Sequence, residues 1–254
     1  ELSNCPLCGH GESRASRFHQ GDFRIVSCQA CELWYLSPRL TQSAMEEHYA
    51  RADYFEGGDS GYDSYASQEM PLRLTFRQLL QNLQNRGICG GSLLDVGCGY
   101  GYFLDEADQF FEFRAGTDYS DGALQRAKKS ADQVFRGGVE SVPHDLKFDC
   151  IVALHVIEHV YEPLSFVDSL YDRLKPGGTL VLAAPDMGSW WRPVMGSRWP
   201  SFKYPEHVVY YDKRTLTRLM TTADLVDHQS IPYPHAFPMN LVLKKLGLPT
   251  FSAI

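Results

Sequence analysis

Four cysteines lie in the first 31 residues, spaced as Cys5-Pro6-Leu7-Cys8 and Cys28-Gln29-Ala30-Cys31. Two residues between thiols let both sulfurs of a pair point at one centre, while nearby amides turn inward to hydrogen-bond them. Zinc takes four such thiolates in a tetrahedron at about 2.3 Å. Four protein ligands leave no open position for water or substrate, so this cluster is expected to be structural. The segment also holds too little apolar mass to fold without a staple. His10 and His19 are surplus to a four-cysteine set. Cys89, Cys98 and Cys150 are dispersed in the rest of the chain. A secreted disulfide framework would not show this asymmetry, so the pattern reads as one Zn2+ site and three free thiols in a reducing cytoplasm.

A second constellation is Leu94-Asp95-Val96-Gly97-Cys98-Gly99-Tyr100-Gly101. Glycines that follow a strand and open a helix let the backbone turn sharply and approach a cofactor closely. A dinucleotide fingerprint would place its third glycine at 102, where Tyr102 stands. The turn therefore suits a ligand without a pyrophosphate. Asp118 falls 21 residues after Gly97, at the end of the next strand. A carboxylate there accepts both hydroxyls of a ribose. Asp95, just before the turn, is placed to accept from a cationic amine.

A third constellation is histidine-rich: His155, His159 and, in Pro205-Glu206-His207, His207. Imidazole is suited to take a proton near neutral pH. Residues 155–159 also spell H-x-x-E-H, an inverted zinc-peptidase motif. That motif needs one continuous helix. Here it starts at a strand end and runs into Glu162-Pro163, where a helix begins, so the peptidase reading is rejected.

The elements that must position these groups follow from periodicity. The chain has 254 residues, 44% apolar and 22% charged, which fits a globular protein with ample core. No apolar run reaches the roughly 18 residues of a membrane span, and polar Cys5 to Gly11 is not a secretory signal. The net charge of −7 repels phosphate chains over the surface as a whole. In the first segment, Arg14 to His19 and Phe23 to Val26 read as a hairpin about Gly21-Asp22. Thr41 to Ala50 reads as a helix capped by Thr41, and Pro71 to Arg86 as one with an apolar stripe. The loop from Gly57 to Ser67 is turn-rich, and Tyr54, Phe55, Tyr62 and Tyr65 make the region aromatic. From Leu93 onward apolar strands (Leu93 to Val96, Phe113 to Thr117, Val134-Phe135, Phe148 to Leu154, Thr179 to Ala184) alternate with helices. Leu225 to Ile231 also reads as a strand. Such alternation implies a Rossmann-like, doubly wound α/β fold with a mostly parallel sheet, its ligands at the carboxyl ends of the strands. The expected organisation is a small N-terminal zinc ribbon over 1–40, an aromatic linker and helical bridge over 41–90, and the α/β domain over 91–254. A lid-like insertion is expected over about 186–205, where Trp190, Trp191, Trp199 and Phe202 accompany Arg192 and Arg198.

The ordered stretches LLDVGCGYG, GTDYS, FDCIVALHVIEHV and LKPGGTLVLAAPD, over about residues 92–185, resemble the class I S-adenosylmethionine-dependent methyltransferases. CPLCG…CQAC before them, and PEHVVYYDKRTLTRLM after them, resemble a subgroup with an N-terminal zinc-binding segment. The resemblance implies that Gly97, Gly99, Tyr100 and Gly101 form the S-adenosylmethionine turn and that Asp95 faces the methionine amine. It implies that Asp118 holds the ribose, with Tyr119 beside the adenine. Glu140, or the backbone of Gly138 and Val139, meets the adenine amine. His155 ends the fourth strand beside the sulfonium. His155, His159 and His207 are the candidate bases for O-methylation of a small molecule such as a secondary metabolite, sugar, lipid or quinone, with S-adenosylhomocysteine as product. Two alternatives stand. One is an RNA 2′-O-methyltransferase assisted by a divalent ion on Glu158, His159 and His207. The other is a non-catalytic zinc-containing protein that binds a partner. The family's sheet usually ends in an antiparallel seventh strand. After Ile231 only 23 Pro-rich residues remain, with helical spacing at Leu241 to Leu246, so that strand is expected to be missing.

Overall fold

The computed structural model describes residues 1–49, 68–223, 225 and 227–234. The aromatic region expected at 54–67 and the helix expected over Leu241 to Leu246 lie outside the described residues.

The expected hairpin is formed by β1 (Ser13–Gln20) and β2 (Phe23–Cys28), with Gln20 opposite Phe23. The second cysteine knuckle turns the chain into β3 (Trp34–Leu36), which pairs antiparallel with β2. Helix α1 (Gln42–Tyr49) follows, its first turn capped by Thr41 Oγ1 accepting from the Ala44 amide at 3.3 Å. Helix α2 (Glu69–Gln84) buries the stripe Phe76, Leu79, Leu80 and Leu83.

The main domain then alternates strand and helix. In order these are β4 (Ser92–Val96), α3 (Tyr102–Glu106), β5 (Phe113–Asp118), α4 (Asp121–Ala127), β6 (Gln133–Arg136), β7 (Phe148–Leu154), α5 (Pro163–Tyr171) and β8 (Leu174–Ala183). Ser120 caps α4 and proline opens α5. The five strands form a parallel sheet in the order β6-β5-β4-β7-β8, reversing direction of growth at β4. This is the expected Rossmann-like arrangement. Every residue of β4 is buried, so apolar side chains on both faces enter two separate clusters. Phe76 of α2 meets Phe103 of α3 edge to face at 5.4 Å in one of them.

Beyond β8 come the short helix α6 (Trp191–Met195), β9 (Val209–Tyr210) and α7 (Lys213–Thr222), the last closed by a capping box between Asp212 and Thr215. Strand β9 joins neither edge of the parallel sheet. It pairs with β3, Trp34 opposite Tyr210 and Tyr35 opposite Val209, and so completes a four-stranded N-terminal sheet. The strand expected over Leu225 to Ile231 is absent among the described residues there. Leu225 instead folds back on α7, its amide on the Met220 carbonyl at 3.0 Å.

Gly116 on β5 shows how tightly this scaffold is filled. A Cβ there would stand 2.8 Å from both Cys98 Sγ and Leu104 Cδ1. Gly116→Ala is therefore expected to cost about 1–3 kcal/mol by overpacking, read as a lowered urea midpoint with an unchanged m-value.

Candidate functional site

The glycine turn leaves β4 at its carboxyl end. Gly97, Gly99 and Gly101 all take positive φ, 77°, 52° and 80°. Two of them are also too crowded for a side chain. A Cβ on Gly97 would lie 2.7 Å from Val156 Cγ2, and one on Gly101 would lie 2.8 Å from Ala127 Cα. The Tyr100 ring is committed to the core beneath the Arg126 guanidinium, at 4.0 Å. What Tyr100 offers the turn is its backbone.

Two carboxylates face the turn. Asp118 at the end of β5 accepts from the Gly99 amide at 2.9 Å and the Ser120 amide at 2.8 Å. Burial nevertheless pushes its pKa up. Asp95 is 3% exposed. Burial, and then the charge of Asp118, push it up to about 8. This is an acidic cradle short of positive charge. Tyr119 and Glu140, expected near one base, meet each other: the Tyr119 hydroxyl donates to Glu140 Oε1 at 3.0 Å, and the Gly138 amide donates to the same oxygen at 2.7 Å. Val139 is buried beneath them.

The histidines sit beside this cradle. His155 directly follows β7 with φ of 59°, and Ile157–His159 form a single 3-10 turn rather than a long helix. Val156, between them, is the residue pressed against Gly97. His155 Nδ1 lies 3.3 Å from Glu158 Oε1, and its ring meets that of Tyr233 edge-on at 5.2 Å. His159 Nδ1 lies 3.0 Å from the Glu206 carbonyl. A carbonyl only accepts, so this nitrogen carries the proton and Nε2 keeps the lone pair. The rings of His159 and His207 stand edge to face at 4.7 Å. Burial holds His159 below, and His207 well below, the ordinary imidazole range. For Glu158 burial pushes upward, but the hydrogen bond and charge of His155 outweigh it and keep the carboxyl ionised.

One contributor has no local signal in the sequence. His48 of α1 puts Nε2 3.2 Å from Glu206 Oε1, across 158 residues of chain. Both side chains are nearly buried. Glu206 thus holds His48 with its side chain and His159 with its backbone.

Two residue sets have the makings of metal ligands. The four thiols Cys5, Cys8, Cys28 and Cys31 lie within 4.8 Å of one another. Cys5 and Cys31 sulfurs are 3.4 Å apart, and those of Cys8 and Cys28 3.6 Å. A zinc tetrahedron of the usual bond length has edges of about 3.8 Å. The amides of Ala30 and Cys31 aim at Cys28 Sγ at 3.4 and 3.5 Å, as the knuckle spacing anticipates. The residues present therefore fit zinc. Glu158, His159 and His207 also bring ligand atoms within 4.8 Å.

The aromatic segment after β8 divides. Trp199 is buried with Phe18, Ile25, Leu36, Met187 and Tyr210, and Phe202 packs against this group. These two residues roof the N-terminal sheet. Trp190 and Trp191 stack at 4.1 Å and are exposed.

The model of a methyltransferase-domain family matches residues 63–230, and the chain belongs to that family. Among curated relatives, the mitochondrial ubiquinone biosynthesis O-methyltransferase of Schizosaccharomyces pombe is 33% identical over 103 residues, 37% of this chain and 38% of that protein. The small RNA 2′-O-methyltransferase of the same organism is 26% identical over 180 residues, 58% of this chain and 47% of that protein. The chain thus spans less than two thirds of either. The magnesium protoporphyrin IX methyltransferase ChlM of Synechocystis PCC 6803, solved with bound SAH, superposes with a TM-score of 0.53 at 16% identity. It covers 72% of this chain and 89% of that one and shares the fold. No described helix is long and apolar enough to cross a membrane.

The cradle makes a prediction of definite sign. An ammonium group placed against Asp95 favours its carboxylate, while the ligand-free carboxyl is protonated below about pH 8. Binding of S-adenosylhomocysteine at pH 7 is therefore expected to release a proton. Calorimetry in buffers of different ionisation enthalpy reads that proton, and Asp95→Asn should abolish its release.

Proposed function

We propose that the protein transfers a methyl group from S-adenosylmethionine to a hydroxyl of a small molecule, with a histidine as base. The observation that carries this reading is the contact of Gly97 with Val156. It puts the ligand cradle and the histidine-bearing turn side by side at the carboxyl ends of β4 and β7, where an α/β sheet binds ligands.

S-adenosylmethionine, when bound, supplies an already activated methyl on a sulfonium. The chain's own residues then bind, align and deprotonate. Asp118 accepts from ribose hydroxyls, Asp95 pairs with the amine, and Tyr119 with Glu140 flanks the adenine. Alignment of donor and acceptor is worth roughly 7–11 kcal/mol of the barrier. An acceptor hydroxyl must also lose its proton. His159, fixed by the Glu206 carbonyl with Nε2 unprotonated, and neutral His207 beside it are the groups to take it. Zinc on the four cysteines would serve structure, and the acceptor is a small-molecule partner.

A divalent ion on Glu158, His159 and His207 is a second reading. It is favoured by Glu158 Oε2 and His207 Nδ1, which are buried without hydrogen-bond partners among the described residues. These residues would hold the ion next to the acceptor oxygen, whose acidity it would raise.

The decisive experiment incubates the protein with methyl-labelled S-adenosylmethionine and a size-fractionated cell extract. Label in the small-molecule fraction is expected, and label in RNA would overturn the reading. Transfer that withstands chelators selective for divalent ions other than zinc separates base from metal. His207→Gln is expected to lower kcat by about 10²–10⁴ and to leave S-adenosylhomocysteine affinity unchanged. Because burial depresses the histidine pKa values, the base stays unprotonated at neutral pH. The acid limb of the kcat profile should therefore lie below pH 6.5, with activity falling as pH drops through it.

A further inference from the structure

The cysteine ribbon and the histidine turn share one buried cluster. Cys5, Cys28, Cys31, Leu33 and Tyr35 pack with Ile157, Val208, Val209 and Tyr211. Two backbone hydrogen bonds make the link directional. The Leu36 amide donates to the Val208 carbonyl at 2.9 Å, and the Val208 amide donates to the Glu158 carbonyl at 2.9 Å. Val208 is the neighbour of His207, and Glu158 the neighbour of His159. Strand β9, which starts next, has only two residues, and β3 is its sheet partner among the described residues. Strand β3 is in turn set by the knuckle, where the Cys28 amide donates to the Leu33 carbonyl at 2.9 Å.

We infer that the four-cysteine ribbon is a positioning element for His159 and His207, acting through Leu36 and Val208. This rests on the reading of these histidines as the base. The thiolates do not touch the acceptor. They fix β3, β3 sets the register of β9, and that register places His207 against the Glu158–His159 turn. Two strands this short do not hold together by themselves, so without the zinc staple the histidine pair loses its alignment. The glycine turn meets the histidine turn at Val156, but the rest of its packing lies elsewhere. Cys98 and Tyr100 belong to a different cluster, which contains no ribbon residue. Metal loss should consequently separate the two halves of the site: cofactor affinity stays while turnover falls.

Cys8 is the exposed member of the four and the mildest place to test this. Cys8→Ser weakens the zinc site, whereas Cys8→His keeps a zinc-competent set of three cysteines and one histidine. In Cys8→Ser, S-adenosylhomocysteine affinity is expected to stay within about threefold. kcat should fall by about 10- to 100-fold, as for a misplaced catalytic group, and the His159 and His207 ring proton resonances should shift. Cys8→His should restore both. A second arm needs no variant. Chelating zinc from the wild-type protein should remove amide exchange protection at Leu36, Val208 and Val209 and preserve it at Leu94 and Ile151. Unchanged kcat in zinc-free Cys8→Ser, unchanged protection at Val208, equal loss at Leu94, or a wild-type protein without zinc would each overturn the inference. Absence of methyl transfer by the wild type would sink the functional reading instead, and the exchange arm would still decide this one.

Discussion

Val208 has both of its backbone groups committed to other parts of the chain. Its carbonyl belongs to the N-terminal sheet and its amide to the turn after β7. Each residue has one donor and one acceptor on the main chain, so nothing is left to slide. The residue is fully buried, and an unpaired backbone group at such a depth costs about 1–3 kcal/mol. The clamp is therefore enforced by the same rule that builds the sheets. What surrounds it follows. The segment from Met187 to Phe202 has to pass over β2 and β3 to reach β9, and it fills the space with Trp199 and Phe202. The aromatic residues after β8 thus act mainly as a roof for the small sheet, with Trp190 and Trp191 projecting from it.

The site treats charge in two opposite ways. On the β4–β5 side, buried carboxyls are raised and await a cation. On the β7 side, burial holds His159 and His207 below the ordinary imidazole range, with Glu158 ionised beside them. The division suits a positively charged methyl donor. In the proposed mechanism the carboxylates would compensate its ammonium, and a neutral base would add no repulsion against its sulfonium at close range, where low dielectric makes repulsion expensive. The net charge of −7 also opposes a polyphosphate acceptor.

The parallel sheet was legible because fully buried strands are written as continuous apolar runs, and because glycines must mark a turn that no Cβ can enter. The cysteine pairs were legible because two intervening residues let both sulfurs of a pair face one centre, and the four sulfurs do converge. Contacts between distant segments were not. Strand β9 is two residues long, below any periodic signal, and its partner lies near the other end of the chain. His48 and Glu206 meet across 158 residues, with nothing in either neighbourhood to announce it. The same limit applies to the strand expected at Leu225 to Ile231, which is absent among the described residues there. Its residues have strand-like character, but Leu225 is drawn back onto α7 by the Met220 carbonyl instead. Trp199 and Phe202 belong to the segment expected as a lid, and only the small sheet beneath them reveals that these two pack on Phe18, Ile25, Leu36 and Tyr210.

His155 shows why residue type and backbone must be weighed together. A non-glycine residue in the left-handed region costs about 1–2 kcal/mol, and glycine would relieve that cost. Yet the chain must turn sharply there. The His155 amide still completes β7 on the Ala183 carbonyl at 2.8 Å, Val156 must press on Gly97, and Ile157 must enter the ribbon's core. A glycine would make the turn but leave Glu158 without the imidazole that keeps it ionised. The strain is therefore tolerated for the sake of the ring. His155 thus holds Glu158, and within the proposed mechanism that leaves proton transfer to His159 and His207.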